Sequence, residues 1–222
     1  MGVAENLRKI KEKIPDYVTL VAVSKTKPDE VILEAYQEGH LDFGENKVQD
    51  LAAKQERLPA NIRWHMIGHL QSNKVKYLAS FVHMLHGVDS LKLLSVINKE
   101  AEKNERVIDC LLQMRIASEE TKFGLSEEDL EQLLGSETFR QMKHVRIRGV
   151  MGMATYTENS DQIREEFRHL KRIFDRLKSS HFAGQESFDQ LSCGMSDDFQ
   201  LAIEEGSNLV RIGSLIFGPR NY

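Results

Sequence analysis

The chain has 222 residues, with 30 Lys and Arg against 34 Asp and Glu, a formal net charge of −4. With 41% hydrophobic and 29% charged residues, and only 14 Gly and 4 Pro, it is neither disordered nor collagen-like but long enough to bury a sizeable core. The slightly acidic balance argues against non-specific nucleic-acid binding, which needs a basic surface.

The N-terminus (MGVAENLRKIKEKI) is charged and amphipathic, and a helix is expected over about residues 3–14. It carries no apolar signal-peptide core, and no apolar run reaches the roughly 18 residues of a membrane span. A cytoplasmic protein with no membrane association is expected. From there the chain alternates between β-branched apolar runs and stretches of helical period. Val18–Ser24 is the first run, followed by a helix over Asp29–Glu38 that stops at Gly39. Leu41–Gly44 leads into a helix over Glu45–Arg57, and Ile62–Ile67 into a short helix near Asn73–Ala79. Val82–Val88 precedes a helix that Asp89 or Ser90 caps, and Val107–Ile116 is the most continuous run. The next helix covers Glu127–Leu134, with Ser126 as its N-cap. Val145–Met153 precedes the longest helix, Ser160–Ser179, where Ile163, Phe167, Leu170, Phe174 and Leu177 form one stripe. Phe188–Ser192, a helix near Asp197–Glu205 and a final run Asn208–Ile212 complete the pattern.

Eight βα units with strands that look buried on both faces predict an α/β fold, a single (β/α)8 barrel over residues 1–222. An open doubly wound sheet is the alternative, but the first strand lacks the G-x-G-x-x-G turn of nucleotide-binding versions. Cys110 and Cys193 lie far apart without metal-site spacing, so both are read as reduced thiols in or near the core.

In a barrel the chemistry sits at the C-terminal ends of the strands. At the first strand end, alternation puts Val21, Val23 and Lys25 on one face. A lysine carried inward, its amine neutralised by desolvation, can form a Schiff base with a carbonyl. The alternative is that the strand stops at Ser24 and that Lys25 and Lys27 are solvated loop residues; Lys27 shares the parity of Lys25 and competes with it. Asn46, behind Gly44, offers a donor and an acceptor at the second strand end, unless it simply caps a helix. His65 and His69 are four apart but lie on a strand running into a loop, so no metal site is expected. After the seventh run, Ser192-Cys193-Gly194-Met195-Ser196 supplies small and hydroxyl residues, and Gly213-Ser214 does so after the eighth. Loops seven and eight form the common phosphate site of barrels, although ordinary caps and turns have the same composition. Arg211 in the last strand needs a partner if it points inward. A lysine facing a phosphate cup suits a ligand with an aldehyde at one end and a phosphate at the other, either pyridoxal 5′-phosphate (PLP) or a sugar phosphate.

The segments AVSKTKP (22–28), FGEN (43–46), WHMIGHLQSNK (64–74), TKFG (121–124), GVMGMA (149–154), CGMSDD (193–198) and RIGSLIFGPR (211–220) occur in this order. Together they resemble the YggS-like pyridoxal phosphate homeostasis proteins over almost the whole chain. The resemblance implies a barrel like the N-terminal domain of alanine racemase, with PLP held as a Schiff base by Lys25. It implies that Ser192, Gly194, Met195 and Ser196, with Gly213 and Ser214, hold the phosphate. Arg211 would face the pyridine nitrogen, Asn46 would lie near the ring, and Lys27 and Lys122 would be secondary lysines that pass the cofactor on. His69 stands where many relatives have Pro, and Ser214 where many have Thr. The family is linked to vitamin B6 balance rather than to a defined turnover; a weak PLP-dependent racemase or decarboxylase is the alternative. The chain ends about two residues past the last motif, so the domain that completes a racemase is not expected, nor is a catalytic residue. The expected state is a monomer, with apo PLP-dependent enzymes as acceptors.

Overall fold

The computed structural model describes residues 2–117 and 123–219. Its strands and helices alternate along the chain, with two helices in succession before the sixth strand. Helix α1 (Val3–Lys11) precedes β1 (Thr19–Val23), α2 (Asp29–Gln37), β2 (Asp42–Glu45), α3 (Val48–Arg57) and β3 (Arg63–Met66). A 3₁₀ helix over Ser72–Tyr77 leads to β4 (Met84–Val88), α4 (Leu91–Lys103) and β5 (Ile108–Gln113). Then come α5 (Glu127–Gly135), α6 (Glu137–Arg140), β6 (Val145–Met151), α7 (Ser160–Ser179), β7 (Gln190–Ser192), α8 (Phe199–Glu204), β8 (Leu209–Ile212) and α9 (Ser214–Phe217).

The eight strands pair in parallel in sequence order, and β8 pairs back onto β1, with Thr19 opposite Leu209 and Val21 opposite Arg211. That closure excludes the open doubly wound sheet. Strand side chains divide into two cores. Val21, Met84, Leu111, Met151 and Leu209 meet inside the barrel. The much larger outer core lies between the strands and the helical ring, where Ala22, Phe43 and Trp64 meet helix residues such as Ile32, Leu51 and Phe167. Strands covered on both sides, such as β1 and β5, are dominated by apolar residues.

Helix α7 keeps its predicted limits. Asn159 Oδ1 accepts from the backbone N–H groups of Asp161 (3.1 Å) and Gln162 (3.2 Å), and the Ile163–Leu177 stripe is buried. Ser126 caps α5 and forms a reciprocal capping box with Asp129. The amphipathic N-terminal helix is shorter than expected, ending at Lys11 rather than near residue 14. Lys13 N and Ile14 N donate to Ile10 and Lys11, tighter turns that lead the chain toward Pro15. The helix after β2 starts at Val48 instead of Glu45, because Glu45 is the last residue of the strand and is buried there. Both cysteines are buried thiols; burial pushes Cys193 up to about 12 and Cys110 higher still. No helix among the described residues is long and apolar enough to cross a membrane.

Candidate cofactor site

At the C-terminal mouth, Ser24 directly precedes the candidate lysine. Its hydroxyl donates to Glu45 Oε1 (2.7 Å), and its carbonyl accepts from Lys54 Nζ (2.9 Å), so Ser24 is anchored on the outer, helix-facing side of β1. β1 ends at Val23, so Lys25 lies not on the strand, as expected, but in the turn that follows it, where Lys27 N donates to the Ser24 carbonyl at 3.1 Å. Lys25 is half-buried, which excludes a fully solvated loop lysine. Thr26 follows with φ of 65°, a left-handed conformation that a β-branched residue adopts only under constraint.

Across the mouth, the Arg211 guanidinium is buried in the barrel. It donates to Ser192 Oγ (2.5 Å) and to the carbonyl of Gly152 (3.2 Å), tying β8 to the ends of β7 and β6. The two predicted phosphate loops are joined, since Gly213 N donates to Ser196 Oγ at 3.3 Å. Gly213 packs so close to β1 that a Cβ there would lie 3.1 Å from the Val23 carbonyl. The β7 loop, the β8 loop and the segment carrying Lys25 are therefore neighbours. Ser214 and Leu215 open α9, ahead of Ile216 N and Phe217 N, which donate to the Gly213 carbonyl at 3.0 and 2.9 Å. Met195 N is already taken, donating to Asp198 Oδ1 at 2.6 Å. Burial pushes the Asp198 carboxyl up, against the pull of that hydrogen bond and of Arg211. Ser214 and Met195 are exposed and Ser196 is half-buried, as a cup open to a ligand requires, while Ser192 and Gly194 are buried beneath it.

Asn46, half-buried after β2, is braced from behind: a Cβ on Gly68 would lie 2.4 Å from its carbonyl oxygen. Lys27 donates to the carbonyls of Gly218 (3.3 Å) and Pro219 (2.9 Å), so it fastens the β1 loop to the C-terminal segment. Lys122 and Thr121 lie outside the described residues. His69 stacks on Phe123 with ring centroids 4.3 Å apart, and its Nδ1 lies 3.4 Å from Asp89 Oδ2, linking the loops after β3 and β4 to the segment before α5.

Sequence reasoning did not find the buried Ser24–Glu45–Lys54 cluster. Its signal, a lysine nine residues after an acidic strand end, is indistinguishable from a solvated helix lysine. It also missed a polar group at the opposite mouth. There Asp42 holds Arg63 through two hydrogen bonds and accepts from His65 Nε2 (3.1 Å), while His65 Nδ1 lies 2.9 Å from His86 Nε2. These residues border a cleft of about 590 Å³ at the N-terminal ends of the strands.

The donor set at the C-terminal mouth suits PLP: a half-buried lysine just past β1, hydroxyl and amide donors from two joined loops, and a buried guanidinium. The sequence profile of the alanine racemase N-terminal domain matches residues 2–221. A protein of Aquifex aeolicus named pyridoxal phosphate homeostasis protein is 39% identical over the full length of both chains. One of the same name from Haemophilus influenzae is 36% identical over 100% of this chain and 98% of its own. The chain belongs to the pyridoxal phosphate homeostasis protein family. The structure of PipY, the COG0325 family member of Synechococcus elongatus, with PLP bound superposes with a TM-score of 0.88 at 33% identity, covering 97% of this chain and 100% of that one. Alanine racemase of Bartonella henselae shares the barrel alone, with a TM-score of 0.73 at 15% identity over 60% of its length.

Proposed function

We propose that this member of the pyridoxal phosphate homeostasis family holds PLP through a covalent bond between Lys25 Nζ and the cofactor's aldehyde carbon. In this reading it serves intracellular vitamin B6 balance without a defined turnover. The observation that carries the proposal is the joined wall of the mouth. Arg211 bonded to Ser192, with Gly213 bonded to Ser196 and packed on Val23, makes loops seven and eight one unit beside the end of β1, two residues before Lys25. When bound, PLP supplies an electrophilic carbon for amines and a ring that withdraws electrons. In the proposed complex, Ser196, Ser214 and the Ser214 and Leu215 amides that open α9 bind its phosphate. Arg211 lies beside the ring nitrogen; a guanidinium gives up no proton there and disfavours protonation of the nitrogen, which keeps the ring a weak electron sink. Asn46 borders the ring. The names of the relatives, homeostasis proteins rather than enzymes, support the absence of turnover. Supply of PLP to apo enzymes, with Lys27 and Lys122 as secondary lysines, completes the reading.

The test is borohydride reduction of the PLP-loaded protein followed by peptide mass mapping. We expect the pyridoxyl mass on Lys25 and its loss in Lys25→Ala, with Ser214→Glu weakening PLP retention by placing a second anion in the cup. A label that persists in Lys25→Ala, or maps elsewhere, overturns the assignment. Lys25-dependent racemisation or decarboxylation of D- or L-amino acids overturns the absence of turnover.

A further inference from the structure

The polar group at the N-terminal mouth has no part in the reading above, since it sits at the opposite ends of the strands. Asp42 opens β2, His65 lies in β3, and His83 directly precedes β4. Parallel pairing brings the three to one place: Asp42 stands opposite Arg63, His65 opposite Met84, and His83 N donates to the Trp64 carbonyl at 2.9 Å. One ligating atom from each of Asp42, His65 and His83 lies within 4.8 Å of the other two. We propose that these three side chains bind a divalent transition-metal ion of the zinc class at the floor of the barrel.

The geometry and the donor set carry this together. Zinc bonds imidazole nitrogen and carboxylate oxygen at about 2.0–2.2 Å, which in a tetrahedral site puts ligand atoms roughly 3–3.5 Å apart. Asp42 Oδ1 and His65 Nε2 are already 3.1 Å apart. His83 is exposed, so its ring can close the remaining gap at little cost. Two imidazoles and one carboxylate suit zinc and its first-row neighbours, whereas magnesium and calcium take oxygen sets. Metal-ligating histidines commonly donate their second ring nitrogen to a fixed acceptor. Ligation through His65 Nε2 leaves the proton on Nδ1, 2.9 Å from Nε2 of the fully buried His86. The fourth position opens into the 590 Å³ cleft, where water or an external ligand completes the sphere.

Lys11 and Arg148 also border the cleft, but the cation that opposes the ion directly is the one bonded to its carboxylate. Arg63 grips both oxygens of Asp42, but its side chain is 46% exposed, so it can withdraw into water while Asp42 Oδ1 turns to the metal. Arg63 thus competes with the cation for one carboxylate, and the two variants that follow act in opposite directions.

The experiment is zinc titration of the untagged, PLP-loaded protein after chelator treatment, against a chromophoric competitor. Visible absorption of the cobalt-substituted protein reports the coordination. We expect one zinc per chain and cobalt bands of a four-coordinate site. His83→Ala, at an exposed position that leaves the barrel intact, should lower the affinity by at least the roughly 10–100-fold that loss of an outer-shell partner costs. Arg63→Gln should raise it. Binding well below one ion per chain in both wild type and Arg63→Gln overturns the site. So does stoichiometric binding that His83→Ala leaves unchanged.

Discussion

The last residue of β2 is a carboxylate sealed from solvent. Glu45 Oε1 accepts from the Ser24 hydroxyl and from Lys54 Nζ, both at 2.7 Å, and the Lys54 side chain is itself only 7% exposed. Burial pushes the Glu45 carboxyl up and Lys54 pulls it back, so the pair exists as a balance that neither partner survives alone. Lys54→Met should cost about 3–5 kcal/mol in urea-induced unfolding, because it strands a buried carboxylate. Adding Glu45→Leu should recover most of that loss, and strictly additive losses would show that the two groups do not depend on each other. Lys54→Met should also weaken PLP retention beyond the stability change, since Lys54 and Glu45 hold Ser24, the residue directly before the lysine proposed to carry PLP. This cluster marks the limit of what single residues disclose. Strand parity extended past Ser24 singles out Lys25, but β1 stops at Val23 and Lys25 lies in the following turn, where that parity no longer applies. Arg211 was legible as a cation within an apolar strand. Lys54 was not, because its burial depends on how α3 lies across β1 and β2, and that register is written in no local pattern. Asp42, His65 and His83 escaped for the same reason: they are distant in sequence, and the parallel ladder alone makes them neighbours.

Elements were legible in proportion to their length. Helix α7 shows five apolar residues at intervals of three and four behind an Asn cap, and its sequence limits match the structure. Helices α6 and α9 have four residues each, too few to display a period, and both went unread. The expected runs are longer than the strands except at β2, where Leu41–Gly44 is displaced by one residue from Asp42–Glu45, because apolar residues continue past the ladder into the layer beneath the helices. β6 holds a feature that no hydrophobic pattern carries. Its register against β5 slips by one residue between Cys110, opposite Ile147, and Leu111, opposite Gly149. Gly149 adopts φ of 153°, and a Cβ there would lie 1.8 Å from the Gln190 carbonyl oxygen. Both the conformation and the close approach require glycine, and the obstructing atom is backbone that cannot rotate away. Gly149→Ala should therefore separate β6 from β7 and cost at least about 3 kcal/mol, read as a large fall in melting temperature. A variant that melts with the wild type would show that the bulge repacks freely.

At the scale of the whole molecule, the barrel is closed but unevenly sewn. β5 and β6 pair through six registered residues, from Ile108 opposite Val145 to Gln113 opposite Met151. β7 has three residues and meets β8 through a single registered pair, Ser192 with Leu209. Side chains take over where the ladder fails. Ser207 Oγ donates to the Cys193 carbonyl at 2.8 Å, Asn208 accepts from Leu191 N at 2.7 Å and donates to the Asp189 carbonyl at 2.6 Å, and Arg211 reaches Ser192. Such contacts open locally at lower free energy than a continuous ladder. The proposed phosphate cup straddles this same seam, so a ligand there fastens β7 to β8 and transfers its binding energy to the weakest join. Hydrogen exchange followed by mass spectrometry tests this directly. In PLP-free protein, amides in 108–113 and 145–151 should exchange slowest of the strands, and those in 190–194 and 207–213 fastest. Loading with PLP should slow exchange most in those two faster segments and in 19–25, while leaving 108–113 unchanged. If protection instead rises equally in every strand, the barrel opens as one unit, and its retention of a ligand follows from global stability rather than from the seam.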